Sequence, residues 1–345
     1  MSYTRRDVGK IALAGLPGAL RAARPDSVFG GVWIGIITYS FRALPGSAEQ
    51  VLSYCVECGI SGVELMSNVA ESYAGAPLPA GRGFLPGGPG GPGGTGAAGG
   101  AAAPGRGPGP ARAPLSPEQR EAFKKAAEEL RNWRLSAPME KYRALRKMYE
   151  DAGVRIYAFK LPPTLAMSEQ EYAYIWNVAE TLGADHITME LPAEDALLQR
   201  VADYAARRKL RIAFHTHGQG GDSGFAKALA ASDYTALNFD VGHYYGVTGQ
   251  SPIPVIERYH DRIASLHLKD RKGPSAAPGP AGPMAGGPNL PWGQGETPLK
   301  EILQLMKRRR SRFPASIEYE YPTPEGSDVL TEIKKCVQFC RRALA

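Results

Sequence analysis

Short apolar runs rich in β-branched and aromatic residues recur along this chain, separated by stretches whose apolar residues fall at helical spacing. VWIGIITY (32–39), SGVELM (61–66), RIYAFKL (155–161), DHITMEL (185–191) and residues 211–216, 236–241, 263–269 and 315–320 predict eight strands. Helices are predicted over 47–58, opened by Ser47 as N-cap and followed by Gly59, and over 168–182, 193–208 and 326–343. Residues 117–152 predict a helix pair with lysines, arginines and glutamates on a solvated face. Eight strands, each followed by a helix, predict an α/β fold, a (β/α)8 TIM barrel, whose usual size is about 250 residues. A doubly wound sheet is the alternative, because periodicity does not show closure. No Gly-rich phosphate fingerprint follows the first strand, which weakens a dinucleotide-binding version.

Two segments break the pattern. Residues 74–114 are almost entirely Gly, Pro and Ala, and residues 272–289 repeat that composition. Such chains bury too little apolar surface to offset their ordering entropy, so both are read as low-complexity insertions in βα loops. Residues 1–30 contain Arg5, Arg6 and Lys10 ahead of the apolar IALAGLPGAL, and resemble a twin-arginine export leader. The expected organisation is therefore a leader over 1–30 and one barrel domain over 31–345, in a periplasmic or otherwise exported protein.

Composition narrows the classes. The net charge of +7 falls to +4 without residues 1–30, which hold five basic and two acidic residues. That balance gives no footprint for nucleic acid. No run of 18 apolar residues predicts a stable membrane span. Four cysteines pair on two helices, Cys55 with Cys58 and Cys336 with Cys340. Those helices are neighbours in a closed barrel, so either disulfides staple its ends or the thiols are buried and free.

The chemistry lies at the strand ends. If the strands are parallel, Glu190, His215, His217, Asp240, His243, His267, Asp270, Glu318 and Glu320 converge on one face. An ionised Glu ending an apolar strand is costly unless paired or metal-bound. Two of them with Asp240 and His267 suggest one divalent cation, with Mn²⁺ expected ahead of Mg²⁺, Co²⁺ or Zn²⁺. His215 and His217 alternate along one strand and can both face the site, as substrate ligands or as satisfied core residues. Asp240 and His243 bracket a tight Val241-Gly242 turn. Lys269 either neutralises an anionic substrate or pairs with Asp270. Glu64 is expected to line the pocket, Glu320 is an alternative ligand, and Trp33, Tyr39, Phe41 and Trp292 are candidate walls. His186 and His260 receive no role.

The series MELP, FHTHG, NFDVGHYYGVTGQSP, IASLHLKDRKG and ASIEYE, with GVELMS earlier, resembles the xylose isomerase-like superfamily of TIM barrels, the fold of AP endonuclease family 2. It is most similar to the sugar phosphate isomerase/epimerase group, over residues 31–343 outside the two insertions. The resemblance implies a metal held by Glu190, Asp240, His267 and Glu318. It also implies Glu190 and Glu318 as the acid/base pair; Glu64, His215, His217, His243 and Lys269, read from their strand-end positions, are the candidate substrate-binding residues. The implied reaction is sugar isomerisation or epimerisation by proton abstraction beside a carbonyl, through an enediolate. A 3-keto-glycoside lyase or hydrolase could use the same groups. A non-catalytic sugar-binding barrel and an AP endonuclease are the remaining alternatives. The expected partner is a small carbohydrate, with self-association left open.

Overall fold

The structure, a computed structural model, describes residues 24–77, 116–217, 222–274 and 286–345. Eight parallel strands form the centre: β1 (Val32–Ile37), β2 (Gly62–Met66), β3 (Arg155–Lys160), β4 (His186–Glu190), β5 (Arg211–His215), β6 (Thr235–Asp240), β7 (Ile263–Leu268) and β8 (Ala315–Ile317). Each pairs with the next, and β8 pairs back onto β1, so the sheet closes. Closure establishes the (β/α)8 barrel and removes the doubly wound alternative. Around it lie α1 (Ala48–Glu57), α2 (Ser67–Ala74), α3 (Pro117–Leu135), α4 (Met139–Asp151), α5 (Glu169–Leu182), α6 (Asp195–Arg208), α7 (Asp222–Ala230), α8 (Val241–Thr248), α9 (Ile253–Arg258), α10 (Leu299–Arg309) and α11 (Val329–Leu344).

The strands alternate in an instructive way. Ile187, Met189, Leu237, Phe239, Leu266, Leu268 and Ile317 are buried in the shared core. The intervening positions, among them His186, Thr188, Asn238, Asp240, Ser265, His267 and Ser316, are also buried but polar. Successive strand residues face opposite sides of a sheet, so the barrel packs its helices with apolar residues and fills its interior with polar ones around a small cluster of Ala213, Ala236 and Ala264. The interior floor holds Tyr157, whose hydroxyl donates to Ser316 Oγ at 2.8 Å. Gly35 makes room for it, since a Cβ there would lie 2.6 Å from the Tyr157 ring.

His186 completes this floor, with Nε2 3.1 Å from Ser265 Oγ. Burial, against the opposing charge of Glu64, lowers its imidazole to about 4. The unfolded chain binds that proton near its ordinary value of about 6.5. The unfolded state therefore takes up more protons below that pH, and stability is lost as pH falls from about 6.5 to about 4. Urea unfolding at pH 7 and pH 4.5 should show a wild-type loss about 2–3 kcal/mol larger than in His186→Gln. Parallel losses in the two proteins would remove His186 from the acid response.

Local chemistry sets several boundaries. Ser47 caps α1 as expected, accepting from the Gln50 amide at 3.2 Å, and Ser116 and Ser168 cap α3 and α5 likewise. The first strand stops at Ile37, where Thr38–Phe41 form a 3-10 turn. The eighth stops at Ile317 rather than 320, because the Ser40 hydroxyl bonds Ile317 O and accepts from the Tyr319 amide in place of the ladder. Residues 27–29 belong to the barrel base, contrary to a domain starting at 31: Val28 and Phe29 pair with β1, and Ser27 Oγ donates to Ile34 O at 2.6 Å. Residues 1–23 of the expected leader and 78–115 of the first insertion lie outside the described residues. The second insertion is narrower than 272–289, since Asn289 and Leu290 pair with Arg271 and Asp270, leaving 275–285 outside the description. All four cysteines are buried and free. No helix among the described residues is long and apolar enough to cross a membrane.

Candidate metal centre and proton-transfer site

The C-terminal ends of the strands bring together what the sequence scattered over more than a hundred positions. One donor atom from each of His215, Asp240, His267 and Glu318 lies within 4.8 Å of every other, and all four residues are buried. His215 Nε2 is 3.9 Å from Asp240 Oδ2, and His267 Nδ1 is 2.6 Å from Glu318 Oε2. Asp240 Oδ2 is a buried oxygen without a hydrogen-bond partner, its nearest cation being the Lys269 ammonium at 3.0 Å. A buried, under-satisfied carboxylate oxygen facing two imidazoles and a second carboxylate suits a cation better than a salt bridge alone. Burial raises Asp240 to about 6 despite the charge of Lys269.

Three of the four expected ligands are thus gathered, and the fourth differs. Glu190 lies outside the 4.8 Å group and His215 lies within it. The two are register partners on β4 and β5, so both reach the same level of the barrel. The Glu190 carboxylate is held to one side by His217 Nδ1 at 2.6 Å and Lys160 Nζ at 3.2 Å. Burial pushes Glu190 up, but the charges of His217 and Lys160 outweigh it and hold the carboxyl well below its usual range. Its side chain stays about a third exposed.

Glu64 also departs from expectation. It is fully buried beneath the ligand group instead of lining the pocket. Its carboxylate faces His267 Nε2 at 2.7 Å and accepts from Asn238 Nδ2 at 3.0 Å and Thr188 Oγ1 at 2.7 Å. Burial pushes Glu64 up, but the charge and hydrogen bond of His267 lower it to about 2. Burial pushes His267 down, but Glu64 and Glu318 outweigh it and raise the imidazole to about 10.

Lys269 projects into the site among Glu320 Oε2 at 2.6 Å, His243 Nε2 at 2.8 Å, and Asp240 and Glu318 at 3.0 Å each. It is not paired with Asp270. That carboxylate accepts from the amides of Gly293, Gly295 and Thr297, which pins the loop before α10. Glu320 serves Lys269 and is not in the four-residue group. The expected tight turn after Asp240 is the start of α8: Asp240 Oδ1 caps it by accepting from the His243 amide at 2.7 Å. Gly242 is needed there because a Cβ would meet the Lys269 backbone oxygen at 2.4 Å. His243, with Arg271 Nη1 2.8 Å from Nδ1, joins His215 and His217 in a second cluster of donors.

The aromatic expectations divide. Tyr39 stands beside the mouth, stacked under Arg42 with its cation 4.6 Å from the ring centre. Trp33 packs on Tyr157 in the floor, Phe41 packs on Tyr54 in the core, and Trp292 packs on Phe339 of α11. Lys160, Arg271, Asn238 and Thr188 were not singled out from the sequence. Their signal was position: each occupies an inward or strand-end site on the alternating pattern.

The profile described as a xylose isomerase-like TIM barrel matches residues 96–342. The chain belongs to that family. An inosose dehydratase of Lacticaseibacillus casei is 32% identical over 78 residues, covering 21% of this chain and 26% of that protein. The chain therefore aligns with about a quarter of that curated relative's length. The probable 3-DHS dehydratase AsbF of Bacillus anthracis superposes with a TM-score of 0.55 at 15% identity, covering 89% of this chain and 98% of that one. The 3-keto-D-glucoside 4-epimerase YcjR of E. coli gives 0.52 at 10% identity, covering 90% and 99%. At such identities these superpositions establish the shared barrel.

Proposed function

We propose that this family member is a divalent-metal-dependent enzyme that isomerises or epimerises a sugar or keto-sugar by moving a proton on the carbon beside its carbonyl. The observation that carries the reading is the buried set His215, Asp240, His267 and Glu318, in which Asp240 Oδ2 has no hydrogen bond and only the Lys269 ammonium, at 3.0 Å, as a charged partner. Two imidazoles among four donors favour a first-row ion such as Mn²⁺, Co²⁺ or Zn²⁺ over Mg²⁺. Such an ion would polarise the substrate carbonyl and stabilise negative charge on its oxygen.

The chain's own residues supply the rest. Glu190, ionised and partly exposed beside the ligand group, removes the proton. His217, donating to it through Nδ1, holds the carboxylate in place and stabilises its negative charge. Lys269 places a fixed positive charge between Asp240, Glu318 and Glu320, where substrate oxygens would approach. Glu318 acts as ligand and, on the opposite wall, as the candidate partner for returning the proton. The resemblance to an inosose dehydratase favours a second reading, elimination from a β-hydroxyketone. Both reactions share the first proton transfer.

The test is solvent exchange. Metal-loaded protein is incubated in D2O with free ketoses and with 3-keto-glycosides, and products are examined by mass spectrometry. Deuterium beside the carbonyl with mass otherwise retained supports epimerisation or isomerisation, whereas loss of water or aglycone assigns the elimination branch. A metal-loaded protein that exchanges no substrate proton in either class would leave a sugar-binding barrel.

A further inference from the structure

We infer that Glu64 is a positioning residue that fixes which ring nitrogen keeps its proton when an ion binds, Nδ1 on His215 and Nε2 on His267, so that the other nitrogen of each ring is the one available to the ion. The inference rests on the metal-centre reading above and adds a residue outside the ligand set. A carboxylate only accepts hydrogen bonds. Asn238 must therefore turn its amide nitrogen to Glu64 Oε2, at 3.0 Å, which leaves Asn238 Oδ1 facing His215 Nδ1 at 3.3 Å. An amide oxygen cannot donate, so the proton of His215 sits on Nδ1 and its lone pair on Nε2. That nitrogen is the one 3.9 Å from Asp240 Oδ2.

The second arm is direct. Glu64 Oε2 faces His267 Nε2 at 2.7 Å, which keeps a proton on Nε2. His267 Nδ1 is then the nitrogen that can become bare, and it lies 2.6 Å from Glu318 Oε2. One buried carboxylate thus orients two imidazoles on strands β5 and β7 from its own place on β2. Partners that fix ring orientation and tautomer in this way typically change metal affinity by about 10–100-fold when lost. The remaining oxygen, Oε1, accepts from Thr188 Oγ1 at 2.7 Å, and among the described residues both histidine arms run through Oε2 instead.

That asymmetry provides the test. Full-length protein, stripped with EDTA, is titrated with Co²⁺ and Zn²⁺ by calorimetry, and its histidine tautomers are read by long-range ¹H–¹⁵N NMR before any metal is added. Asn238→Leu, which breaks the His215 arm, should bind about tenfold more weakly, and Glu64→Met, which breaks both, about a hundredfold. Thr188→Val should stay within about threefold, although it removes a buried hydrogen bond of similar strength. Glu64→Gln should recover most of the affinity, because its amide oxygen can face Asn238 and His267 while its nitrogen turns to Thr188. Wild-type His215 should carry its proton on Nδ1 and lose that preference in Asn238→Leu. If wild type binds neither ion, the metal reading fails, and the NMR pattern still decides the positioning role. His215 protonated on Nε2, or equal losses in Thr188→Val and Glu64→Met, would overturn the inference. Should Glu64→Met not fold, Asn238→Leu and Glu64→Gln carry the comparison.

Discussion

His215→Ala is expected to weaken Co²⁺ or Zn²⁺ binding by at least about a hundredfold, some 2.7 kcal/mol, while Glu190→Gln leaves it within about threefold. The contrast follows from geometry. His215 shares a 4.8 Å cluster with Asp240, His267 and Glu318, whereas Glu190 is held to the side by His217 and Lys160. The two variants should exchange places in the exchange reaction. Glu190→Gln keeps the ion but loses the proton acceptor, so the rate of deuterium incorporation should fall by about 10²–10⁴. Calorimetry on both variants, followed by the D2O assay at saturating metal, reads the two effects separately. A Glu190→Gln protein that binds no ion would restore Glu190 as the fourth ligand and make His215 a substrate group.

The largest stability effect is expected far from the site. Glu71 on α2 is nearly fully buried and bonds Arg134 of α3 through both oxygens, at 2.7 and 3.0 Å. Tyr174 of α5 donates to the same carboxylate at 2.9 Å, and its hydroxyl lies 2.6 Å from that of Tyr142 on α4. The pair ties together helices on both sides of the 78–115 segment. Glu71→Leu would leave the Arg134 guanidinium buried without a counter-charge, a loss of about 3–5 kcal/mol. Replacing both, as Glu71→Leu with Arg134→Met, should recover most of that loss, because removing a whole buried pair is often neutral. Urea midpoints for the single and double variants decide it. A single variant within 1 kcal/mol of wild type would show that water reaches Arg134.

Much of the architecture was legible because the outward strand positions are apolar. Ile187, Met189, Leu266 and Leu268 mark their strands however the rest of the chain is arranged. Ser47, Ser116 and Ser168 likewise announce their helices through capping boxes that need only three residues of context. The end of β8 was not legible, since it depends on Ser40, 277 residues away, bonding the Ile317 carbonyl. The second insertion read as longer than it is for a similar reason. Arg271 reaches forward to Gly287 O, so the flanks are held by side chains beyond the low-complexity run.

By itself the sequence determined the strand–helix order, the barrel it implies, and the convergence of Asp240, His267 and Glu318 on one face. All three follow from local periodicity and from the rule that parallel strand ends meet. Only the tertiary structure shows that, of the two register partners Glu190 and His215, His215 has a donor atom within 4.8 Å of those of Asp240, His267 and Glu318. It alone also placed Glu64 beneath the site instead of in it, bonded to His267 across 203 residues of chain. Side-chain type reports what a residue can bond. Depth in the barrel and the choice among competing partners are set by closure of the sheet, which no single strand encodes.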